Sequence, residues 1–296
     1  MINPEQDQDR AAQLRRRIFQ IELLAAMPQV VWQLIDALSD DRTDALKLER
    51  IIEGDMALAS KVLSLANSAY YGMPQKITTI SRAVVVIGYQ ELEFLALGAG
   101  LAQLFDLSQV PLGFDGEGLW LHSLAVSWAS RELAEASGYP IPGEVMVAGL
   151  LHDLGKLVLA THLADELTRI LDLVRKGSPY YKAEAETGLK HSIIGYWLAK
   201  RWSLPEIHSA TIRYHHAPQT TDPYLRSTCL VSLGDILVKS LGLGLVHEAP
   251  PLKEDQLLRA AGLKTRHLDE TRQSAQKKLP AMFETWRQML AKGGLT

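Results

Sequence analysis

The run Gly149-Leu150-Leu151-His152-Asp153-Leu154-Gly155-Lys156 sets an imidazole beside a carboxylate within an apolar, helix-like stretch. Burying a carboxylate without a partner is expensive, so something must compensate Asp153, and a divalent cation would do so directly. Neutral imidazole together with carboxylate suits iron, manganese, zinc and similar ions. Further donors are scattered along the chain: His122 at the start of an amphipathic segment, His191 opening another, the tandem His215-His216, and Asp235 inside an otherwise apolar segment. Taken singly, each also has a plain account as a hydrogen-bonded histidine or a surface aspartate.

The remaining histidines read as structural. His162, His247 and His267 lie in polar or terminal surroundings. His208 precedes His215 by two helical turns and so returns to a similar face; a satisfied structural histidine is the first reading and support of a ligand the second. Cys229, the only cysteine, excludes an intramolecular disulfide and a cysteine-rich zinc site, and reads as a small apolar filler. Any metal here rests on His and Asp.

The elements that must position these groups are helices by periodicity. In the first part they cover Leu14 to Ala26, Pro28 to Leu38, Leu46 to Ile52, a segment after the N-cap candidate Asp55, Ala83 to Gly88 and Leu92 to Leu104. Val84 to Val86 could be a strand, but one isolated run has no partner. After a Gly- and Pro-containing break at Pro111 to Gly118, helical spacing resumes over Leu121 to Ala136, Val145 to His162, Leu163 to Lys176, Tyr180 to Trp202, Pro205 to His216 and Leu225 to Leu241. Two weaker patterns, Gln256 to Ala261 and Leu268 to Leu290, form a tail that reads as a packing appendage. The expected fold class is all-α. Its parts are a flexible lead over 1–13, an N-terminal helical subdomain over 14–110, a metal-bearing helical subdomain over 118–245 that abuts it, and a C-terminal helical extension over 246–296.

Composition narrows the function. Hydrophobic residues make up 47% of the 296 and charged residues 22%, which argues against disorder as the main state. A formal net charge of −3 shows no basic excess, so no nucleic-acid partner is expected. No apolar run approaches the roughly 18 residues needed to cross a bilayer, and Met1 to Gln13 does not resemble a secretory signal. A cytoplasmic location is expected.

Taken in order, His122, His152-Asp153, His191, His215-His216 and Asp235 resemble the HD metal-hydrolase pattern, and specifically its two-metal form in the HD-GYP phosphodiesterases. The resemblance implies His122, His152, Asp153 and Asp235 around one ion and Asp153, His191, His215 and His216 around a second, with Asp153 bridging. Two such ions could activate a bridging water and steady an attacked phosphate. On that reading Asp153 and Lys156 are the catalytic candidates, Lys156 as a phosphate or supporting contact or, in the plain account, a surface lysine. The ions implied are divalent, iron or manganese first, with zinc, nickel or magnesium as alternatives.

Upstream, Leu23-Leu24-Ala25-Ala26-Met27-Pro28, Asp55-Met56-Ala57-Leu58, Leu65-Ala66-Asn67-Ser68-Ala69-Tyr70-Tyr71-Gly72 and Ile77-Thr78-Thr79-Ile80-Ser81-Arg82-Ala83 look like the HDOD family of bacterial signal-transduction proteins. That family is related to HD enzymes but often lacks part of the metal set, which this chain keeps. After His215-His216, where HD-GYP proteins continue into their Gly-Tyr-Pro loop, this chain reads Ala217-Pro218-Gln219-Thr220-Thr221-Asp222-Pro223. The resemblance therefore implies an HDOD regulatory module with a two-metal site and a signalling protein as partner. The alternative is a metal-dependent phosphohydrolase or phosphodiesterase acting on a nucleotide or cyclic dinucleotide, with a nucleotide or second messenger as ligand.

Overall fold

Proline and side-chain caps start the first helices. In the computed structural model, which describes residue 16 and residues 18–20, 28–40, 42–68, 71–102, 110–243 and 252–292, Pro28 precedes α1 (Gln29–Leu38). The Pro28 carbonyl accepts the amides of Val31 and Trp32. Asp44 takes the Lys47 amide at 2.8 Å to open α2 (Ala45–Glu53), and Asp55 takes the Leu58 amide at 2.8 Å to open α3 (Met56–Ala66). Thr79 does the same for α4 (Ile80–Ile87), which is followed by α5 (Tyr89–Leu101). Val84 to Val86 lie inside α4, and no strand occurs among the described residues. Asn67, from the Asn-Ser-Ala-Tyr-Tyr-Gly block, donates to the Leu63 and Ile77 carbonyls and accepts the Ile77 amide, tying the end of α3 to the segment that leads into α4. The expected lead over 1–13, Leu23 to Met27, Tyr70 and His247 lie outside the described residues.

Beyond Pro111, Asp115 caps α6 (Gly116–Ala136), a 21-residue helix buried along most of its length. It is followed by α7 (Pro142–Leu151), α8 (Leu154–His162), α9 (Ala164–Arg175), α10 (Tyr180–Thr187), α11 (His191–Arg201), α12 (Glu206–Tyr214), α13 (Leu225–Ser240), α14 (Glu254–Ala261) and α15 (Thr265–Lys292). Helix α6 packs on α7, α13 and α15, while α8 packs on α11 and α12 on both α11 and α7. The tail is part of the interior: Trp286 of α15 is fully buried, its ring edge-on to Phe94 at 6.0 Å. Buried apolar side chains from α1 through α15 join in one continuous cluster.

Two expected helices are each broken in two. Val145 to His162 stops after Leu151 and restarts at Leu154, with Asp153 in a non-helical conformation (φ −99°, ψ 16°) between them. Tyr180 to Trp202 is divided at Gly188, whose left-handed φ of +71° ends α10 while the Leu189 amide turns back to the Glu184 carbonyl. Both breaks sit beside a chemistry-bearing residue, and apolar periodicity runs through them unaltered.

Candidate metal centre

Glycines let the helices come close enough to share one site. A Cβ on Gly149 would lie 3.0 Å from the Ser130 hydroxyl, and one on Gly234 2.6 Å from the same atom, so α6, α7 and α13 meet where His122, His152 and Asp235 project. On the other side, a Cβ on Gly155 would fall 1.9 Å from the His191 carbonyl, and one on Gly195 would lie 2.9 Å from the Gly155 amide nitrogen. That crossing of α8 and α11 sets Asp153 against His191. The sequence reading assigned none of these glycines a role, although each lies within a few residues of a site residue.

All seven residues that the sequence singled out converge. His122 Nε2 is 3.1 Å from Asp235 Oδ1 and 3.8 Å from Asp153 Oδ2, and His152 Nε2 is 3.2 Å from Asp153 Oδ2. His191 Nε2 is 3.2 Å and His215 Nε2 3.7 Å from Asp153 Oδ1. His216 Nε2 is 3.1 Å from His191 Nε2. The donors form two groups, His122 with His152 and Asp235, and Asp153 with His191, His215 and His216; within each, the donor atoms lie within 4.8 Å of one another. Only His216 is partly exposed.

The hydrogen bonds behind the rings show what faces inward. His122 Nδ1 lies 3.2 Å from the Leu243 carbonyl, His152 Nδ1 2.7 Å from that of Gly149, and His215 Nδ1 2.9 Å from that of Ile212. His191 Nδ1 lies 2.7 Å from Glu184 Oε1, which also accepts the His191 amide at 2.9 Å. Since those partners only accept, each Nδ1 carries a proton and each ring turns its Nε2 into the site. There the Nε2 atoms meet carboxylate oxygens and one another. His122 Nε2, His152 Nε2, Asp153 Oδ1 and Asp235 Oδ1 are buried without a hydrogen-bond partner among the described residues. Convergent, buried nitrogen and oxygen atoms left without a partner are what a cation would satisfy, so this His/Asp cluster could bind metal.

The electrostatics agree. Burial opposes ionisation of Asp153, but His152 and the Lys156 ammonium hold its carboxyl well below the usual carboxylate range. Burial likewise opposes ionisation of Asp235, which Lys239 and His122 hold low. Burial first, then neighbouring histidines, push His215 and His216 well below the usual value, leaving them neutral and ready to ligate. His191 departs from this: against burial, the Glu184 carboxylate raises it to about 9, so a proton competes for its Nε2 when no other cation is present.

Two readings change, and two residues are new to the site. Lys156 is no surface lysine: it is fully buried with Nζ 2.7 Å from Asp153 Oδ2. His208 is no satisfied histidine, because neither ring nitrogen of this fully buried side chain has a partner among the described residues, and burial pushes it down to about 3. Glu184 and Lys239 were missed altogether. Lys239 stands one turn after Asp235 and pairs with it at 2.7 Å, a spacing visible in the sequence; Glu184 reaches His191 across the Gly188 turn, which periodicity does not register.

The profile of the HDOD domain matches residues 24–218. This chain belongs to the HDOD family. Among curated proteins it is similar to an uncharacterized protein of Treponema pallidum, 26% identical over 220 residues, which covers 72% of this chain and 42% of that one. It is also similar to the uncharacterized protein YuxH of Bacillus subtilis, 24% identical over 152 residues and covering 47% and 35%. The HDOD chain thus spans well under half the length of these relatives. Among solved structures, an HDOD domain protein of unknown function from Geobacter sulfurreducens superposes with a TM-score of 0.78 at 24% identity, over 94% of this chain and 98% of that one. A protein provisionally named a phosphohydrolase, from Shewanella amazonensis, does so at 0.70 and 22% identity, over 93% and 98%. One provisionally named a signal transduction protein, from Marinobacter aquaeolei, does so at 0.74 and 20%, over 94% and 65%. These likenesses establish the all-helical HDOD fold. Among the described residues, no helix is long and apolar enough to cross a membrane.

Proposed function

We propose that this HDOD protein is a cytoplasmic signal-transduction module whose interior holds two divalent cations, iron or manganese first. His122, His152 and Asp235 hold one and His191, His215 and His216 the other, with Asp153 bridging. The observation that carries this reading is the split of Asp153: Oδ2 faces His122 and His152, and Oδ1 faces His191 and His215. When bound, such a pair of ions supplies Lewis acidity and charge neutralisation. Glu184 orients His191, and Lys156 offsets part of the Asp153 charge and positions its carboxylate. Because six of the seven donors are buried, occupancy is tied to how α6, α7, α8, α11 and α13 pack, and that packing is what a signalling partner would sense.

The second reading is a metal-dependent phosphohydrolase acting on a nucleotide or cyclic dinucleotide, with Asp153 and Lys156 as its catalytic residues. The adjacency of two cation-ready groups favours it, whereas the burial of Lys156 favours the regulatory reading.

Elemental analysis of untagged protein tests both. About two metal equivalents are expected, falling to about one in His122→Ala and to near none in Asp153→Ala. Metal-free protein, or content unmoved by Asp153→Ala, overturns the centre. Turnover of cyclic dinucleotides, nucleoside phosphates or a chromogenic phosphodiester that Asp153→Ala abolishes would decide for the enzyme.

A further inference from the structure

Helices α11 and α12 carry His191 and lead into His215 at one end, while their outer surfaces and the 219–224 turn enclose a separate cleft of about 410 Å³. That volume lies within the roughly 300–1,000 Å³ of small-molecule sites. Its inventory is unusual for a protein surface. The Arg213 guanidinium lies over two tyrosine rings, 4.7 Å from the centre of Tyr196 and 5.1 Å from that of Tyr214. Among the described residues it makes no ion pair and no hydrogen bond, so its five N–H donors are held in place and unspent.

The acidic groups nearby do not use Arg213. Glu206 pairs with Lys200 at the rim. Asp222 accepts the Tyr224 amide at 2.8 Å through Oδ1, while its Oδ2 is buried without a hydrogen-bond partner. The hydroxyls of Tyr196, Tyr214 and Tyr224 bond to no described residue either. The cleft thus offers a fork of cationic donors and an aromatic wall. A ligand matching both carries an anion and a planar ring.

We propose that this cleft binds a nucleoside phosphate, with its phosphate on Arg213 and its base along Tyr224. Charge-assisted, forked contacts from Arg suit phosphate oxygens, and a tyrosine face accepts a base without hydrogen-bond readout. The site goes beyond the metal-centre reading and does not depend on it.

Titration calorimetry of the full chain with AMP, adenosine and ribose 5-phosphate tests the proposal. Saturable AMP binding is expected, with adenosine and ribose 5-phosphate each weaker by about tenfold. Arg213→Gln should weaken AMP by about tenfold and Arg213→Lys by less, since Lys keeps the charge and loses the fork. Arg213 is exposed, so metal content and thermal midpoint should not move and will verify folding. Asp153→Ala, or chelator-treated protein should that variant not fold, should bind AMP as the wild type does. No saturable AMP binding at millimolar concentration, equal affinity for adenosine and AMP, indifference to Arg213→Gln, or loss of AMP binding with Asp153→Ala would each overturn the assignment, the last by moving AMP to the centre.

Discussion

Helices α2, α3 and α4 each begin on a side-chain cap and bury only apolar side chains, whereas none of α7 to α14 has a side-chain cap from its own N-cap residue. The early helices are therefore specified by neighbours in sequence. Among the later ones, α11 takes its cap from another helix: its first amide is taken by Glu184 of α10. Asp153, the N-cap residue of α8, makes no cap bond and turns its two oxygens to the imidazoles instead. The protein thus pairs a locally determined region with one whose order depends on tertiary fit.

Steric substitutions should separate the two most sharply. Gly155→Ala drives a Cβ against the His191 carbonyl and is expected to cost about 3 kcal/mol and to release metal, read by denaturant unfolding and elemental analysis. Gly54→Ala, at a right-handed φ of −67°, should stay within about 0.5 kcal/mol of wild type, on the stabilising side. Equal losses at the two sites would erase the contrast.

Removing a remote support comes next. Glu184→Gln keeps the shape beside His191 but removes the charge, and metal affinity should fall by about 10- to 100-fold in chelator competition. An unchanged affinity would mean that Glu184 only caps α11.

His208 adds a pH dependence of its own. Its folded pKa, about 3, lies below the ordinary histidine value, so the unfolded chain binds the extra proton and stability is lost as pH falls from near 6.5 toward 3. Between about pH 7.5 and pH 5, wild type should lose about 2 kcal/mol more than His208→Met, measured by urea unfolding. Parallel pH profiles would show that the ring finds a partner. The smallest effect belongs to the locally built region: Asp55→Ala should cost about 1 kcal/mol through the lost cap of α3, with metal content unmoved.

Much of this was legible in the chain. The 3.6-residue apolar period located nearly every helix, the cap at Asp55 was readable from its type and place, and His122, His152, Asp153, His191, His215, His216 and Asp235 stood out by type and order. The breaks at His152-Asp153 and at Gly188 were not, because apolar spacing continues through both. Nor was the fate of Lys156 and His208, since burial is set by what packs over a helix face and the face itself looks the same either way.

Sequence alone determined the helical class, the family and which histidines and aspartates stand out as candidates, because periodicity and residue type are properties of the chain. Only the tertiary structure decided that the two oxygens of Asp153 face opposite groups of imidazoles, that Glu184 stands behind His191, and that four glycines bring the helices together. Those outcomes depend on distances between helices far apart in sequence. Such distances are set by which side chains are missing at a crossing and by contacts such as that of His122 Nδ1 with the Leu243 carbonyl.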